Sequence, residues 1–203
     1  MLFHQIKETI NALDTSTISK ERKEMLEPLI NYIKNKVEIG EDINLNFICT
    51  HNSRRSHLTQ IWAQTLSAFF KIKKVYCYSG GTEATALYTS VKETLETIGF
   101  KFEITSDGKN PIYQIFFSDE EQPIVGFSKK YDHINNPSSS FAAIMTCSHA
   151  DENCPFIIGV EKRIPITYED PKAYDNTPQE NEKYKERCLQ IATELYFVFS
   201  KIN

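Results

Sequence analysis

Apolar positions recur with a helical period at both ends of the chain, and short strand-like runs lie between them. Phe3, Ile6, Ile10 and Leu13 fall three or four apart and predict a short amphipathic helix over 2–13. The polar run Asp14-Thr15-Ser16-Thr17 ends it. Ser19 is placed to cap a second helix reaching about Val37, with Met25, Leu26, Leu29, Ile30 and Ile33 apolar. Pro28 lies inside that pattern, lacks the amide that the helical ladder uses, and predicts a kink or a split. Residues 1–43 thus read as a helical hairpin laid against the main domain. It is either a cover over core or a surface for a partner or second copy, and the cover is the simpler reading.

From residue 44 to 203 the pattern alternates. The run 45–48 reads as a strand, followed after a polar loop by a helix from about Ser56, with Leu58, Ile61, Trp62, Thr65, Leu66, Phe69 and Phe70 on its inner side. A second strand over 74–78 ends at Ser79-Gly80-Gly81-Thr82, and a helix over 83–98 follows, with Gly99 as its stop. Residues 106–136 break the alternation: strand-like runs at 113–117 and 123–127, joined by an acidic turn, read as a β-hairpin insertion. Short strands at 141–145 and 163–167 and a helix from about Thr177 complete the chain. This order predicts an α/β fold, a flavodoxin-like parallel four-stranded sheet with helices on both faces. In such sheets ligands sit beyond the strand C-termini. Cys49, Ser79, Cys147 and Asp170 each follow a predicted strand and are therefore expected along one edge.

Composition narrows the function classes. A chain of 203 residues holds one well-buried core. A net charge of −4 gives no basic footprint for nucleic acid. No apolar run approaches a membrane span, and the acidic start Met1-Leu2-Phe3-His4-Gln5-Ile6-Lys7-Glu8 does not read as a signal peptide. Five cysteines with no export signal point to a reducing cytoplasm, where thiols serve catalysis or redox chemistry rather than stapling.

The candidate chemistry begins at Phe47-Ile48-Cys49-Thr50-His51-Asn52-Ser53-Arg54-Arg55-Ser56. Five residues separate Cys49 from Arg55, between a strand and a helix. A loop this short turns successive amides inward as an anion nest, and the helix N-terminus adds its donors and dipole. Arg55 can fork two hydrogen bonds onto a tetrahedral oxyanion, and the same field is expected to favour a Cys49 thiolate. The bland alternative is a buried cysteine followed by a solvated arginine pair. Asp170, held extended by Pro171, is either a general acid or a turn residue. Cys147 and Cys154 are seven positions apart. On one helix that is roughly 10.5 Å between Cα atoms, against the roughly 4.4–6.8 Å of a disulfide. They bond only if the segment loops or unwinds, which suits a redox shuttle; otherwise they are unrelated cysteines.

Three stretches together resemble the thioredoxin-coupled arsenate reductases, a branch of the low-molecular-weight protein tyrosine phosphatase fold. They are 48–56, Thr146-Cys147-Ser148-His149-Ala150-Asp151-Glu152-Asn153-Cys154-Pro155, and Glu169-Asp170-Pro171. The second is the most specific. The resemblance spans about 45–200 apart from the insertion. It implies that Cys49 attacks arsenate in a loop formed by Thr50, His51, Asn52, Ser53 and Arg54, with Arg55 holding the oxygens and Asp170 protonating the departing one. Cys147 then attacks Cys49 and releases arsenite, Cys154 attacks Cys147, and thioredoxin reduces the resulting disulfide. Ser56 matches a hydroxyl bonded to the nucleophile; Asn52 and Ser79 match positions that brace the loop. No cofactor or metal is implied: Gln60 stands where many relatives carry a glutamate linked to a potassium ion. The family loop usually has glycine at position 51, where a side chain restricts positive φ, and cysteine at position 54, where Arg54 adds a second cation that either assists the anion or faces water. Cys77 and Cys188 have no counterpart and read as core. Hydrolysis of phosphotyrosine or a small phosphoester by the same loop is the second reading, and a non-catalytic oxyanion-binding module the third.

Overall fold

A computed structural model of the chain describes residues 1–153 and 156–202. The elements run α1 (His4–Asn11), α2 (Lys20–Ile39), β1 (Ile43–Cys49), α3 (Arg55–Phe69), β2 (Val75–Gly81), α4 (Thr89–Ile98), β3 (Lys101–Ser106), β4 (Ile112–Phe116), β5 (Ile124–Gly126), β6 (Phe141–Met145), α5 (Ser148–Asn153), β7 (Val160–Pro165) and α6 (Glu180–Ser200). β2, β1, β6 and β7 form a parallel sheet in that order, as the alternation predicts. Alternate residues of β1 serve opposite faces. Leu45 and Phe47 join the large core built with α2, α3 and α6, while Ile48 joins a smaller cluster with Met145, Ala150 and Ile157. A strand buried on both faces needs a nearly continuous apolar run, which is what 45–48 supplies apart from Asn46. Cys49 pairs with Gly81, and Ile48 with Met145, so the strand C-termini end level at one edge.

Three differences from the sequence reading have physical causes. Pro28 neither splits nor ends α2, which runs unbroken through it. The lost ladder bond costs about 3 kcal/mol, and the full burial of Leu26, Leu29 and Ile33 along the same helix offsets it. The helix expected over 83–98 begins only at Thr89, because the preceding amides are used elsewhere: Glu83 N–H bonds Thr50 O at 2.8 Å and Tyr88 N–H bonds Ser53 O at 3.0 Å. The insertion's hairpin gains a third strand, β3, antiparallel to β4. Its exposed polar positions, Lys101, Glu103 and Thr105, hid it from a search for buried periodicity.

The N-terminal helices also differ from a hairpin in where they pack. α1 lies against α4, and α2 against α6, β7 and β1. Leu2 bridges Ser118, and Phe3 N–H bonds Phe117 O at 3.0 Å, which ties the N-terminus to the insertion. Ile6, Ile10, Leu26, Leu29 and Ile33 belong to the same core as Trp62 and Phe199. Leu29→Ala is therefore expected to lower unfolding free energy by about 2–5 kcal/mol in a urea titration. An unchanged midpoint would mean that residues 1–43 are a detachable extension.

Candidate active site

The polypeptide leaves β1 at Cys49 and turns sharply before α3 begins at Arg55. The turn depends on Asn52, fully buried with φ at +44°. The left-handed conformation falls there rather than at position 51, so His51 has no need of glycine's freedom. Asparagine is among the few side chains that tolerate that region. Its side chain is held at both ends: Lys129 N–H donates to Asn52 Oδ1 at 2.8 Å, and Asn52 Nδ2 donates to Ser56 Oγ at 2.9 Å. Ser56 Oγ lies 3.1 Å from Cys49 Sγ. From below, Gly81 meets the loop so closely that a Cβ there would stand 2.7 Å from both Asn52 N and Thr50 O. Ser128 Oγ donates to His51 O at 2.9 Å, and Thr82 N–H to Cys49 O at 3.1 Å. These bonds take up loop carbonyls and leave the amides for an anion. Ser53 is buried, and its carbonyl is the one bonded by Tyr88.

Arg55 Nη1 donates to Tyr168 O at 2.9 Å, and Nη2 pairs with Asp170 Oδ2 at 2.5 Å. Its Nε is buried and has no partner among the described residues. Asp170, half-buried on the extended stretch before Pro171, also accepts from Lys172 N–H at 3.1 Å. The clamp residue and the candidate acid are thus in direct contact, and an oxyanion that takes the Arg55 fork competes with this carboxylate for Nη2. Arg54 neither assists an anion nor faces water, the two roles its sequence position suggests. Its buried guanidinium pairs with Asp175 at 2.5 Å, donates to Tyr184 Oη at 2.5 Å and covers the ring of Tyr88 at 4.0 Å. It fastens the loop's exit to the start of α6.

Cys147 stands at the start of α5, 1% exposed, in the same apolar cluster as Cys49. Thr50 Oγ1 lies 3.4 Å from Cys147 Sγ and 3.3 Å from His149 Nδ1, and Ala150 N–H points at the sulfur from 3.3 Å. A residue of the loop therefore touches the second thiol. Cys154 falls outside the described residues. Cys77 and Cys188 join the large core. Burial pushes the Cys188 thiol up to about 12, and it accepts a hydrogen bond from Trp62 Nε1 at 3.1 Å.

His57 was not singled out by any sequence spacing. It is fully buried in the first turn of α3 with its ring against the Asn52 backbone, and its Nδ1 lies 3.4 Å from Ser79 Oγ. Ser79 thus reaches the loop through His57 rather than by a bond of its own. Burial, reinforced by the charge of Lys129, holds His57 down at about 3.

No family model matches the chain, and no curated protein does. Solved structures do match. A low-molecular-weight protein tyrosine phosphatase of T. tengcongensis superposes with TM-score 0.51 at 16% identity, covering 79% of this chain and 97% of that one. This chain has the low-molecular-weight phosphatase fold. An arginine phosphatase of Geobacillus stearothermophilus gives TM-score 0.51 at 17% identity, over 79% and 92% of the two chains. An arsenate reductase in the phosphate-binding state matches at TM-score 0.46 and 18% identity, over 79% and 99%, too loosely to weigh in the choice of activity. A four-stranded parallel sheet flanked by helices is what the chain shares with this fold.

The buried imidazole makes the loop acid-sensitive. A histidine held at about 3 is neutral in the fold, whereas the unfolded chain takes a proton near 6.5. Below pH 6.5 the unfolded state binds the extra proton, so His57 removes about 1.4 kcal/mol of stability per pH unit down to about pH 3. His57→Gln is expected to flatten that part of the dependence of urea midpoint on pH. Parallel curves for the two proteins would show that His57 is not buried in neutral form.

Proposed function

We propose that the chain reduces arsenate to arsenite through a relay of three thiols. The observation that carries this reading is the contact of Thr50 Oγ1 with Cys147 Sγ at 3.4 Å, which brings a second sulfur to the wall of the Cys49 loop. A phosphatase has no use for that sulfur. Cys49 attacks arsenate, and one oxygen departs as water with a proton from Asp170, leaving a sulfur–arsenic(V) bond. The loop amides and Arg55 hold the remaining oxygens. Cys147 then attacks Cys49 Sγ. A sulfur–sulfur bond forms, the sulfur–arsenic electron pair goes to arsenic, and arsenite leaves as arsenic(III). Thr50, bridging Cys147 and His149, gives the Cys147 proton a path to the imidazole. Cys154 attacks Cys147 in turn, frees Cys49 and closes a Cys147–Cys154 disulfide. A thioredoxin-type dithiol, in a reducing cytoplasm, returns that disulfide to two thiols.

The second reading is hydrolysis of phosphotyrosine or a small phosphoester, favoured by the Arg55–Asp170 contact beside a cysteine whose sulfur lies 3.1 Å from a serine hydroxyl. It uses the same attack by Cys49 and the same acid, with water in place of Cys147. Among the described residues no cluster of histidine, cysteine and carboxylate is arranged to hold a metal, and neither reading invokes one. No described helix is long and apolar enough to cross a membrane.

The two readings separate by mutation. Cys154→Ser is expected to abolish arsenate-dependent oxidation of NADPH in the presence of thioredoxin and its reductase, and to leave aryl phosphate hydrolysis intact. Turnover that survives this change contradicts the relay. Asp170→Asn is expected to lower the rate of aryl phosphate hydrolysis by about 10²- to 10⁴-fold, the usual contribution of a positioned acid. An unchanged rate would return Asp170 to a turn residue.

A further inference from the structure

A cavity of 570 Å³ opens between β2 and the insertion, and none of residues 49–56 lines it. Its size falls in the small-molecule range. Val75, Tyr78, Ile124 and Phe127 give it apolar and aromatic walls. Two buried polar side chains also line it, and each keeps polar capacity that no described residue uses. Lys129 is 4% exposed, and its ammonium is met by the face of Phe127, 4.6 Å from the ring centre. No carboxylate of the described residues pairs with it: the acidic side chain on the cavity wall, Glu121, is exposed and makes no ion pair with Lys129. Gln60 is 3% exposed; its Nε2 donates to Cys77 O at 3.0 Å, while its Oε1 has no donor among the described residues. An ammonium on a side chain this buried with no carboxylate beside it, and a buried carbonyl without a donor, call for a complement. Burial lowers Lys129 to about 8, consistent with no acid nearby.

We propose that this cavity binds a small hydroxy-carboxylic acid with an apolar body. Its carboxylate would pair with Lys129 Nζ, its hydroxyl would donate to Gln60 Oε1, and its hydrocarbon part would lie on Tyr78 and Phe127. The occupant carries one negative charge, because the cavity offers one cation. A metal ion or an ammonium ligand is excluded by Lys129 itself. A bare phosphate has no apolar part for these walls and too much charge for one lysine. The site also touches the loop's support: the backbone N–H of Lys129 holds Asn52 Oδ1, and its carbonyl accepts from Gly81 N–H at 2.9 Å. Filling the cavity therefore steadies the segment that fixes the left-handed turn at Asn52.

The test is a calorimetric and NMR titration of the full chain with mandelate and 3-phenyllactate as probes, run with and without saturating inorganic phosphate. Binding is expected for at least one hydroxy acid, with benzyl alcohol, which lacks the carboxylate, at least about tenfold weaker. Phosphate is expected not to compete, and amide shifts are expected at Gln60, Phe127 and Lys129. Lys129→Met is expected to remove binding, and Gln60→Leu to erase the advantage of mandelate over phenylacetate, which lacks the hydroxyl. The second variant serves if the first does not fold. No binding by either acid at about 10 mM, a ligand far weaker than the usual small-molecule range, would overturn the proposal. So would competition by phosphate, or an affinity that neither variant changes.

Discussion

A single left-handed residue governs the sheet edge that carries Cys49. Asn52 must hold φ at +44° inside a fully buried turn for the loop from Cys49 to Arg55 to close. Such a conformation persists only where its surroundings over-determine it. Here they do so from three sides. Gly81 approaches with no side chain, Lys129 supplies an amide from the insertion, and Ser56 returns a hydroxyl from the first turn of α3. Since Ser56 Oγ is also 3.1 Å from Cys49 Sγ, the strain at Asn52 is tied directly to the proposed nucleophile. Elements far apart in sequence are committed to one turn, which is why the insertion cannot be treated as decoration on the sheet.

The same edge gathers the remaining chemistry because the parallel strands end level. β1 delivers Cys49, β6 delivers Cys147 two residues beyond its end, and the chain after β7 brings Asp170 to Arg55. Thr50 is the hinge of this arrangement, with its carbonyl bonded below by Glu83 N–H and its hydroxyl between Cys147 and His149. In the proposed mechanism, an anion that draws Arg55 away from Asp170 releases the proposed acid as the substrate is clamped. The proposed clamp and the proposed acid thus meet at one guanidinium.

Much of this was legible in the chain. The apolar run 45–48, the Cys49 to Arg55 spacing and the Asp170-Pro171 step mark residues whose roles depend on local order, and strand-helix alternation is enough to align them. What escaped depended on distant partners. Arg54 reads as a spare cation until Asp175 and Tyr184 are seen to receive it. Residues 83–88 carry a helical pattern, yet their amides serve the loop instead. β3 is an edge strand whose polar surface gives no periodicity, and Pro28 persists because burial along α2 outweighs its missing bond. His57 looks like any helix-face residue until Ser79 and Asn52 close around it.

The central claim is that the sulfur of Cys147 attacks the sulfur of Cys49. The most direct measurement is peptide mapping and intact mass of the Cys154→Ser protein after a single exposure to arsenate without external thiol. The account predicts the loss of two hydrogens and a crosslink joining the peptides that contain Cys49 and Cys147. A protein that binds arsenate yet keeps both thiols free and unlinked would contradict it.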